Sequence, residues 1–466
     1  MGASPGYPTE PPLSGFEPPP LGGAHQPAAA PDSPSSSPPP GRGRWIALWS
    51  LATVAVLAAA VLGVVALRDD DDGGTDEASR PAAGEPTEPD DNGEPSVGSE
   101  HDTDDAPTDA EIDDLVAELS AFVEEERGLE FEEPVQVEIE DDDAFHERLF
   151  ADFEEDAELT AQVDPLYKAV GLLDPDEDLV ETMRTAFEGA VIGFYDPETA
   201  ELVVRGGAIT PGVRVTVAHE LTHALDDQHF DLDRPEYDEA DDEIAFGFSG
   251  LVEGSAVAVQ DAYIETMSAD EMDQYLEEQL SYGIPDVPFA LLELIGAPYE
   301  HGPDLVEALR DDGGRERLDG AFAEPPRTSE QVLHPETYLD GEAAVEVEHP
   351  EADGEVVWDG VLGELFVELV LDQEVPDQAE DAAQGWGGDW AVSWLDGERS
   401  CMRAVMVGDT ADDSDELFTA WTAWAASVDR TAEAVQAEAG GPVTVTSCTD
   451  ESPAQGGGGG VSPLVG

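Results

Sequence analysis

Apolar and polar positions divide this chain into segments of very different character, and the longest apolar run is residues 45–67. It contains no charged side chain and is mostly Ala, Val and Leu. About 20 helical residues, rising about 1.5 Å each, cross the ~30 Å hydrocarbon layer of a membrane, so the run predicts one transmembrane helix. Arg42 and Arg44 precede it and four aspartates, 69–72, follow it. The positive-inside rule then predicts a cytoplasmic N-terminus, with the rest of the chain outside the cell.

The segments on either side of this run, and the C-terminus, lack apolar periodicity. Residues 1–44 are rich in Pro, Gly, Ser and Ala, and residues 68–107 are mainly Asp, Glu, Gly, Pro and Thr. Such compositions bury too little apolar surface to offset the entropy of ordering the chain. We therefore expect a disordered Pro-rich cytoplasmic tail over 1–44, an acidic disordered linker over 68–107 and a flexible tail over 451–466.

Between the linker and the C-terminal tail, the patterning predicts an α+β fold. Ile112, Leu115 and Leu119 recur at helical spacing. Residues 190–195 and 201–205 are two apolar runs around a Pro-containing turn, which is typical of a β-hairpin. Towards the C-terminus we expect a helix over 362–371, strands over 390–395 and 402–407, a helix over 415–438 and a strand over 443–447.

The charge balance narrows the classes of partner. The chain has 109 acidic and 18 basic residues, for a formal net charge of −91. Nucleic acid and anionic lipid are poor partners for the folded part because like charges repel. Such a surface repels itself least at molar salt, where the screening length falls to ~3 Å. We therefore expect the protein of a halophilic, salt-adapted organism.

The chain has two cysteines, Cys401 and Cys448, and neither belongs to a C-x-x-C pair. A thiolate metal site is therefore not indicated. Outside the cell a disulfide is stable, so an external location makes a Cys401–Cys448 bond the expected pairing. Two unpaired thiols are the alternative.

The segment His219-Glu220-Leu221-Thr222-His223 carries the clearest chemical pattern. On a helix, His219 and His223 lie one turn apart and about 40° apart around the axis, so both imidazoles can bind one metal ion. Glu220 is rotated by roughly 100° from His219 and can flank a metal-bound water. It would accept the proton of this water as a general base. Two incidental histidines on a surface helix are the alternative.

A third protein ligand is needed, and two residues compete for this role. Glu253 lies in a stretch, 250–259, that is otherwise apolar or small, where a buried carboxylate is costly unless a cation neutralises it. His229 follows His219 by ten residues, the spacing of the H-E-x-x-H-x-x-G-x-x-H pattern. It would reach the metal only if the chain turned sharply near Asp226. We favour Glu253.

With these residues, the chain resembles the gluzincin, or thermolysin-like, group of zincin metallopeptidases. More narrowly, it is similar to bacterial membrane-anchored surface proteins of that clan. Three segments carry the resemblance: 219–232 (HELTHALDDQHFDL), 251–256 (LVEGSA) and 328–339 (TSEQVLHPETYL). The resemblance implies a zincin-like domain over 108–345, with the active-site helix beside a small mixed sheet. An α+β portion over 346–450 would pack on it.

The resemblance also implies how a substrate is held and where the chain departs from the group. An edge strand of the hairpin would align an extended peptide by β-addition. The group places an Asp four residues after the third ligand as a partner for a ligand histidine, and this chain has none after Glu253. Asp226, Asp227 or Asp261 would then take that role.

Catalysis also needs a donor for the developing oxyanion. We predict His334 and Tyr338 for this role, with Tyr263 as the next candidate. The resulting expectation is an extracellular, membrane-anchored zinc metallopeptidase that hydrolyses peptides or proteins with Glu220 as general base. A zincin-fold surface protein that binds or senses without turnover is one alternative, and a purely structural zinc site with four protein ligands is another.

Overall fold

The computed structural model describes residues 52–54, 107–234, 237 and 242–450. These residues form helices and two β-sheets, so the chain is α+β, as its patterning predicts. The segments expected to be disordered, 1–44, 451–466 and all of the linker except residue 107, lie outside the described residues.

The transmembrane helix expected over residues 45–67 is wrong. The described residues of this run, Ala52–Val54, form strand β1, which is hydrogen-bonded to strand β3 (Val191–Asp196). In the part of the chain that the structure describes, no helix is long and apolar enough to cross a membrane. The length and lack of charge of the run favoured a helix. Valines also suit an extended strand, and pairing with β3 decides the conformation of residues 52–54.

The first sheet has the strand order β1-β3-β4-β2, with β2 at Gln136–Glu140 and β4 at Glu201–Arg205. Strands β3 and β4 are the predicted hairpin, which is confirmed: they pair antiparallel, with Gly193 opposite Val204. Strand β2 pairs parallel with β4, so the sheet is mixed.

Long helices pack against the first sheet and against one another. They are α1 (Asp109–Arg127), α2 (Asp142–Val170), α3 (Leu179–Ala190), α4 (Pro211–Phe230), α5 (Asp242–Glu265), α6 (Ala269–Tyr282) and α7 (Phe289–Gly313). Helix α1 begins with a capping box, in which the Thr108 hydroxyl accepts from the Glu111 N–H and the Glu111 carboxylate accepts from the Thr108 N–H. It ends at Gly128, whose φ of 73° is the left-handed conformation that glycine adopts without strain.

The C-terminal part contains a second sheet, which is antiparallel and has the order β5-β6-β7-β9-β8. Its strands are β5 (Val356–Gly360), β6 (Trp386–Asp396), β7 (Arg399–Gly408), β8 (Thr431–Gln436) and β9 (Val443–Cys448). The helices here are α8 (Arg315–Ala321), α9 (Ser329–Leu333), α10 (Pro335–Asp340), α11 (Gly363–Asp372), α12 (Pro376–Ala383) and α13 (Ala411–Ser427). The three strands predicted in this part fall within β6, β7 and β9 and are confirmed.

One helix in this part is shorter than expected. The helix predicted over 415–438 ends at Ser427, and residues 431–436 form β8, paired antiparallel with β9. Positions along β8 alternate between exposed and half-buried, which is the period-2 pattern of a strand. The alanines of this segment suit a helix locally, and pairing with β9 overrides that preference.

Two large clusters of buried apolar side chains hold these elements together. One joins α2 and α3 to the second sheet and α13, and it includes Phe145, Met402 and Trp421. The other lies between the first sheet and helices α1, α4, α5 and α7, and it includes Leu221 and Leu251. Helix α4 is therefore enclosed by the second cluster.

Cys401 and Cys448 form a disulfide bond, which confirms the expected pairing. The two residues are directly opposite on neighbouring strands β7 and β9, with their Cα atoms 4.1 Å apart. They are 47 residues apart in sequence, so the bond closes a loop that contains α13 and β8.

Replacing both cysteines by alanine should lower the free energy of unfolding by about 2–4 kcal/mol, because cross-linking a loop of this length restricts the unfolded chain. Guanidinium unfolding of Cys401→Ala/Cys448→Ala beside oxidised wild type measures the loss. Dithiothreitol should reproduce it in wild type and leave the variant unchanged, since the chain has no other cysteine. Equal stability of the variant and oxidised wild type would contradict this account.

Candidate metal centre

Helix α4 is buried along most of its length. The Thr210 hydroxyl caps its N-terminus by accepting from the Val213 N–H, and Pro211 lies in the first turn, where no N–H is required. Nearly every residue from Gly212 to Asp226 is buried. The polar side chains of this stretch therefore have to be satisfied inside the protein.

His219, His223 and Glu253 lie together at the contact between α4 and α5. His219 Nε2 lies 3.0 Å from His223 Nε2 and 3.1 Å from Glu253 Oε2. His223 Nε2 lies 3.3 Å from the same carboxylate oxygen, and all three side chains are fully buried. Within the described residues, this is the one group of three or more His, Cys, Asp or Glu whose ligand atoms all lie within 4.8 Å of one another.

Gln260 orients the imidazole of His219. Its amide oxygen lies 3.1 Å from His219 Nδ1, so Nδ1 carries the proton and donates it, and Nε2 is left with a lone pair. A metal-binding histidine is usually oriented in this way by a second residue. Gln260 was not among the residues expected from the sequence. Its position seven residues after Glu253, which puts both on one face of α5, is the signal that could have identified it.

The acidic residues expected in this supporting role lie elsewhere. Asp227 accepts from a tyrosine hydroxyl of β3 at 2.7 Å, and Asp226 is in an ion pair with an arginine of α1 at 2.8 Å. Asp261 accepts a hydrogen bond from Gln260. Asp261 is thus linked to His219 through Gln260, and the charge of Asp226 acts on His223 without a direct hydrogen bond.

Burial dominates the electrostatics of the three-residue group. It raises the pKa of Glu253 to about 7, lowers the pKa of His223 to about 3 and also lowers the pKa of His219. His219 Nε2 and Glu253 Oε2 face each other at 3.1 Å with lone pairs that repel unless a proton or a cation lies between them. Imidazole and carboxylate are ligands of divalent metals. This buried group can hold a metal ion.

Glu220, next to His219 in sequence, is also fully buried. It faces β3, because a Cβ atom on Gly193 would lie 3.4 Å from Glu220 Oε1. The same Cβ would overlap the side-chain methyl of Thr216. The missing side chain at Gly193 therefore lets α4 lie close against the strand on the side that carries Glu220.

Tyr299, on α7, is a part of the site that was not expected from the sequence. Its ring stacks on the imidazole of His219, with centroids 6.1 Å apart and planes 22° apart, and its hydroxyl hydrogen-bonds the Glu253 carboxylate. Burial, and then the charges of Glu253 and Glu220, raise the pKa of Tyr299 well above 10, so the hydroxyl keeps its proton. Nothing in residues 298–301 (PYEH) distinguishes this tyrosine; only the packing of α7 brings it to the site.

Glycines allow α5 and α7 to pack at backbone distance. A Cβ atom on Gly254 would overlap the carbonyl of Gly302, and a Cβ atom on Gly302 would overlap the carbonyl oxygen of Gly250. A side chain at Gly254 or Gly302 would therefore push the two helices apart. Because Gly254 is next to Glu253, this close approach also brings Tyr299 to the ligand group.

His229, the alternative third ligand, points away from the ligand group. Its Nε2 donates to the backbone carbonyl oxygen of Glu130 at 2.9 Å. The sharp turn near Asp226 that ligation would require is absent, because α4 continues past it and ends before Asp231, which has a φ of 61°. The geometry therefore supports Glu253.

The predicted oxyanion donors make other contacts. His334 Nε2 lies 2.8 Å from Glu364 Oε1, and the Tyr338 hydroxyl donates to the backbone carbonyl oxygen of Glu324 at 2.7 Å. The Tyr263 hydroxyl lies 3.5 Å from a guanidinium nitrogen of α4. None of these three contacts involves the ligand group, so a catalytic role for these residues stays a prediction.

His334 belongs to a separate cluster of carboxyl groups. Its hydrogen bond to Glu364 raises the pKa of His334. Burial, and then the charges of Asp409, Glu364 and Glu342, raise the pKa of Glu330 to about 8. At neutral pH Glu330 is therefore largely protonated in the folded protein.

Strand β3 is not the outer edge of the first sheet, where a peptide-aligning strand of the hairpin was expected. It pairs with β4 on one side and with β1 on the other, so β1 and β2 are the outer strands among the described residues. Strand β1 runs antiparallel to β3, with Ala52 opposite Phe194 and Val54 opposite Val191. An extended segment of the chain itself therefore pairs with the strand that Glu220 faces.

No protein-family model, no curated protein and no solved structure matches this chain. The resemblance to gluzincins therefore stays a prediction from the motif residues. The function has to be inferred from the site itself, which combines a buried His, His and Glu group with an adjacent glutamate and a tyrosine.

The Glu253→Gln variant should bind a divalent metal more weakly than wild type, because it loses a charged ligand. The loss of affinity should exceed the roughly 10–100-fold that follows removal of a residue that hydrogen-bonds to a metal ligand. His229→Ala should bind metal as wild type does, since His229 is bonded elsewhere. Metal content after dialysis and competition with a chelator measure both. If His229→Ala lost its metal and Glu253→Gln retained it, the third ligand would be His229 and not Glu253.

The folded wild-type protein should lose stability at high pH as Glu330 ionises, and Glu330→Gln should not show this loss. The folded-state pKa of about 8 lies above the ordinary 4.5. Folding therefore favours the protonated carboxyl, and this contribution is complete below about pH 4.5 and lost as the pH rises through 8. Wild type and variant should melt at similar temperatures at pH 5, and the variant should melt higher at pH 9. Thermal unfolding at both pH values tests this. The exposed Glu336→Gln is the control, and its melting temperature should not rise at pH 9. An unchanged melting temperature of Glu330→Gln at pH 9 would refute the account.

Proposed function

We propose that this protein is a zinc-dependent hydrolase that cleaves peptide bonds. The observation that carries the proposal is the buried group of His219, His223 and Glu253, with Glu220 directly after the first ligand on α4. Two imidazoles and one carboxylate are a three-ligand set, typical of catalytic zinc, whereas structural zinc takes four protein ligands. Among the described residues, no fourth His, Cys, Asp or Glu joins the group.

Zinc suits this ligand set, and the position of Glu220 between the two histidines on one helix is what favours zinc over iron(II), which binds the same kinds of ligand. Tetrahedral zinc, with bonds of about 2.0–2.1 Å to nitrogen and oxygen, places its ligand atoms roughly 3.3 Å apart. The three ligand atoms lie 3.0, 3.1 and 3.3 Å apart. Calcium and magnesium prefer sites made of oxygen ligands. Copper(I) and iron–sulfur clusters prefer thiolates, and both cysteines are in the disulfide.

Glu220 is the residue that moves the proton. A zinc ion at this site would lower the pKa of a bound water toward about 7. Glu220 accepts the proton of the attacking water and delivers it to the amine that leaves as the peptide C–N bond breaks. The carboxylate thus ends the cycle in its starting state. The Glu220 side chain is buried against Gly193, and its charge acts on the Tyr299 hydroxyl, which hydrogen-bonds Glu253.

Tyr299 is the residue that we propose as the oxyanion donor. Its hydroxyl keeps its proton because its pKa is raised well above 10, and it lies close to Glu253 and Glu220. Its single proton, which it shares with the Glu253 carboxylate, would turn to a carbonyl oxygen as negative charge develops there in the transition state. It takes the role that was expected for His334 and Tyr338.

The disulfide and the net charge bear on the compartment and the partners of this protein. Disulfides persist in oxidising compartments, so the Cys401–Cys448 bond supports a location outside the cytoplasm. The net charge of −91 counts against nucleic acid as a partner. We therefore propose a peptide or protein substrate that is met outside the cytoplasm.

Glu220→Gln should abolish most peptide hydrolysis and leave metal binding intact, because the amide keeps the size of the side chain and cannot accept the proton. We expect kcat to fall by a factor of about 10²–10⁴, the usual contribution of a general base. Hydrolysis of a quenched-fluorescent peptide library by zinc-loaded protein measures this, with metal content determined on the same samples. Glu265→Gln, exposed on the same α5 helix that carries Glu253, is the control and should keep wild-type activity.

The same assay separates the alternatives. Wild-type activity in Glu220→Gln would exclude the mechanism. A wild-type protein that binds zinc and cleaves nothing across the library would support a zincin-fold protein that binds or senses without turnover.

A further inference from the structure

Arg127, in the last turn of α1, is a charged residue in the core of the protein. It is 1% exposed. Its guanidinium makes three polar contacts: Nη2 to Asp226 Oδ1 at 2.8 Å, Nε to Ser255 Oγ at 3.0 Å and Nη1 to Asp319 Oδ1 at 2.9 Å. The Ser255 hydroxyl also donates to Asp226 Oδ2 at 2.6 Å, which closes a triangle of three side chains.

Two of the three partners belong to the helices that carry the metal ligands. Asp226 follows His223 by three residues on α4, and Ser255 follows Glu253 by two residues on α5. Each lies within one helical turn of a ligand. The third partner, on α8, is on a helix that carries no ligand. Arg127 thus links α4 to α5 close to the place where their ligands meet.

A buried ion pair of this kind contributes more to geometry than to net stability. The cost of taking a guanidinium and a carboxylate out of water roughly offsets their attraction. Arg127 Nε donates to the Ser255 hydroxyl in a fixed direction, and Asp226 at 2.8 Å offsets the charge of the guanidinium. The guanidinium is therefore accommodated only when its partners on α4 and α5 stand at defined positions. Apolar contacts between the same helices tolerate small slides without leaving a buried charge unpaired.

We propose that Arg127 is a positioning residue of the metal centre. Its contacts with Asp226 and Ser255 hold α4 and α5 at the spacing that brings Glu253 against the two imidazoles. This rests on the metal site of the proposed function. Metal bonds have to be met within about 0.2 Å. A small slide of α5 along α4 therefore costs metal affinity before it costs the fold.

Two variants of the full-length chain test the link. Ser255→Ala removes one contact with almost no change in side-chain volume. Arg127→Lys keeps the positive charge and removes the planar set of N–H donors of the guanidinium. Both variants should bind zinc about 10–100-fold more weakly, the usual effect of losing a residue that positions a metal ligand. Competition with a chromophoric chelator measures the zinc affinity. Both should also change the visible absorption spectrum of the Co²⁺-substituted protein, which reports ligand geometry and not stability.

Asp319→Asn is the matched control. Asp319 contacts the same guanidinium at 2.9 Å, but it lies on α8, which carries no metal ligand. Zinc affinity and the cobalt spectrum should therefore stay as in wild type. In Arg127→Lys/Ser255→Ala, the combined loss should be smaller than the product of the two single losses, because both changes act on one link.

The outcomes distinguish this proposal from the one on which it rests. Wild-type zinc affinity in both single variants, or an equal loss in Asp319→Asn, overturns the positioning role and leaves the metal site standing. A wild-type protein that binds no zinc overturns the metal site, and the positioning role with it. Melting temperatures of the metal-free variants identify any that does not fold; should Arg127→Lys be one, Ser255→Ala alone decides.

Discussion

The burial of one carboxylate against two imidazoles is the constraint on which the rest of this site depends. Glu253 loses its hydration, and its Oε2 lies 3.1 and 3.3 Å from Nε2 of His219 and His223. This burial is unfavourable unless a proton or a cation lies between the ligand atoms. A divalent cation would meet that requirement, and its binding would then stabilise the contact between α4 and α5.

The site is assembled by packing between long helices rather than by loops. Glycines remove the side chains that would otherwise separate the elements: Gly193 admits α4 to strand β3, and Gly254 and Gly302 admit α7 to α5. Tyr299 reaches the ligand group through the same close packing. Groups held by buried helices keep their positions more accurately than groups on loops, and metal binding needs that accuracy.

The two errors in the predicted elements have one cause, which is pairing with a distant strand. Residues 45–67 were expected to be a membrane helix, and their described part forms β1 on β3. The second half of the helix expected over 415–438 forms β8 on β9. Local composition favours a helix in both segments. A strand is stabilised mainly by its partner, and the partner is remote in sequence, so periodicity alone does not reveal it.

The α+β class, the β3–β4 hairpin and a short set of ligand candidates could be predicted from the sequence, because they depend on local spacing or on residue chemistry. The disulfide was expected from an external location, and the pairing of β7 with β9 is what places the two cysteines opposite each other. Helical periodicity places His219, Glu220 and His223 relative to one another without any knowledge of the fold. The sequence already favoured Glu253 over His229. The fold places Glu253 against the two imidazoles, bonds His229 elsewhere and brings Tyr299 to the site. Those side chains are on different helices or different faces of a helix, and their meeting depends on how closely the backbones pack.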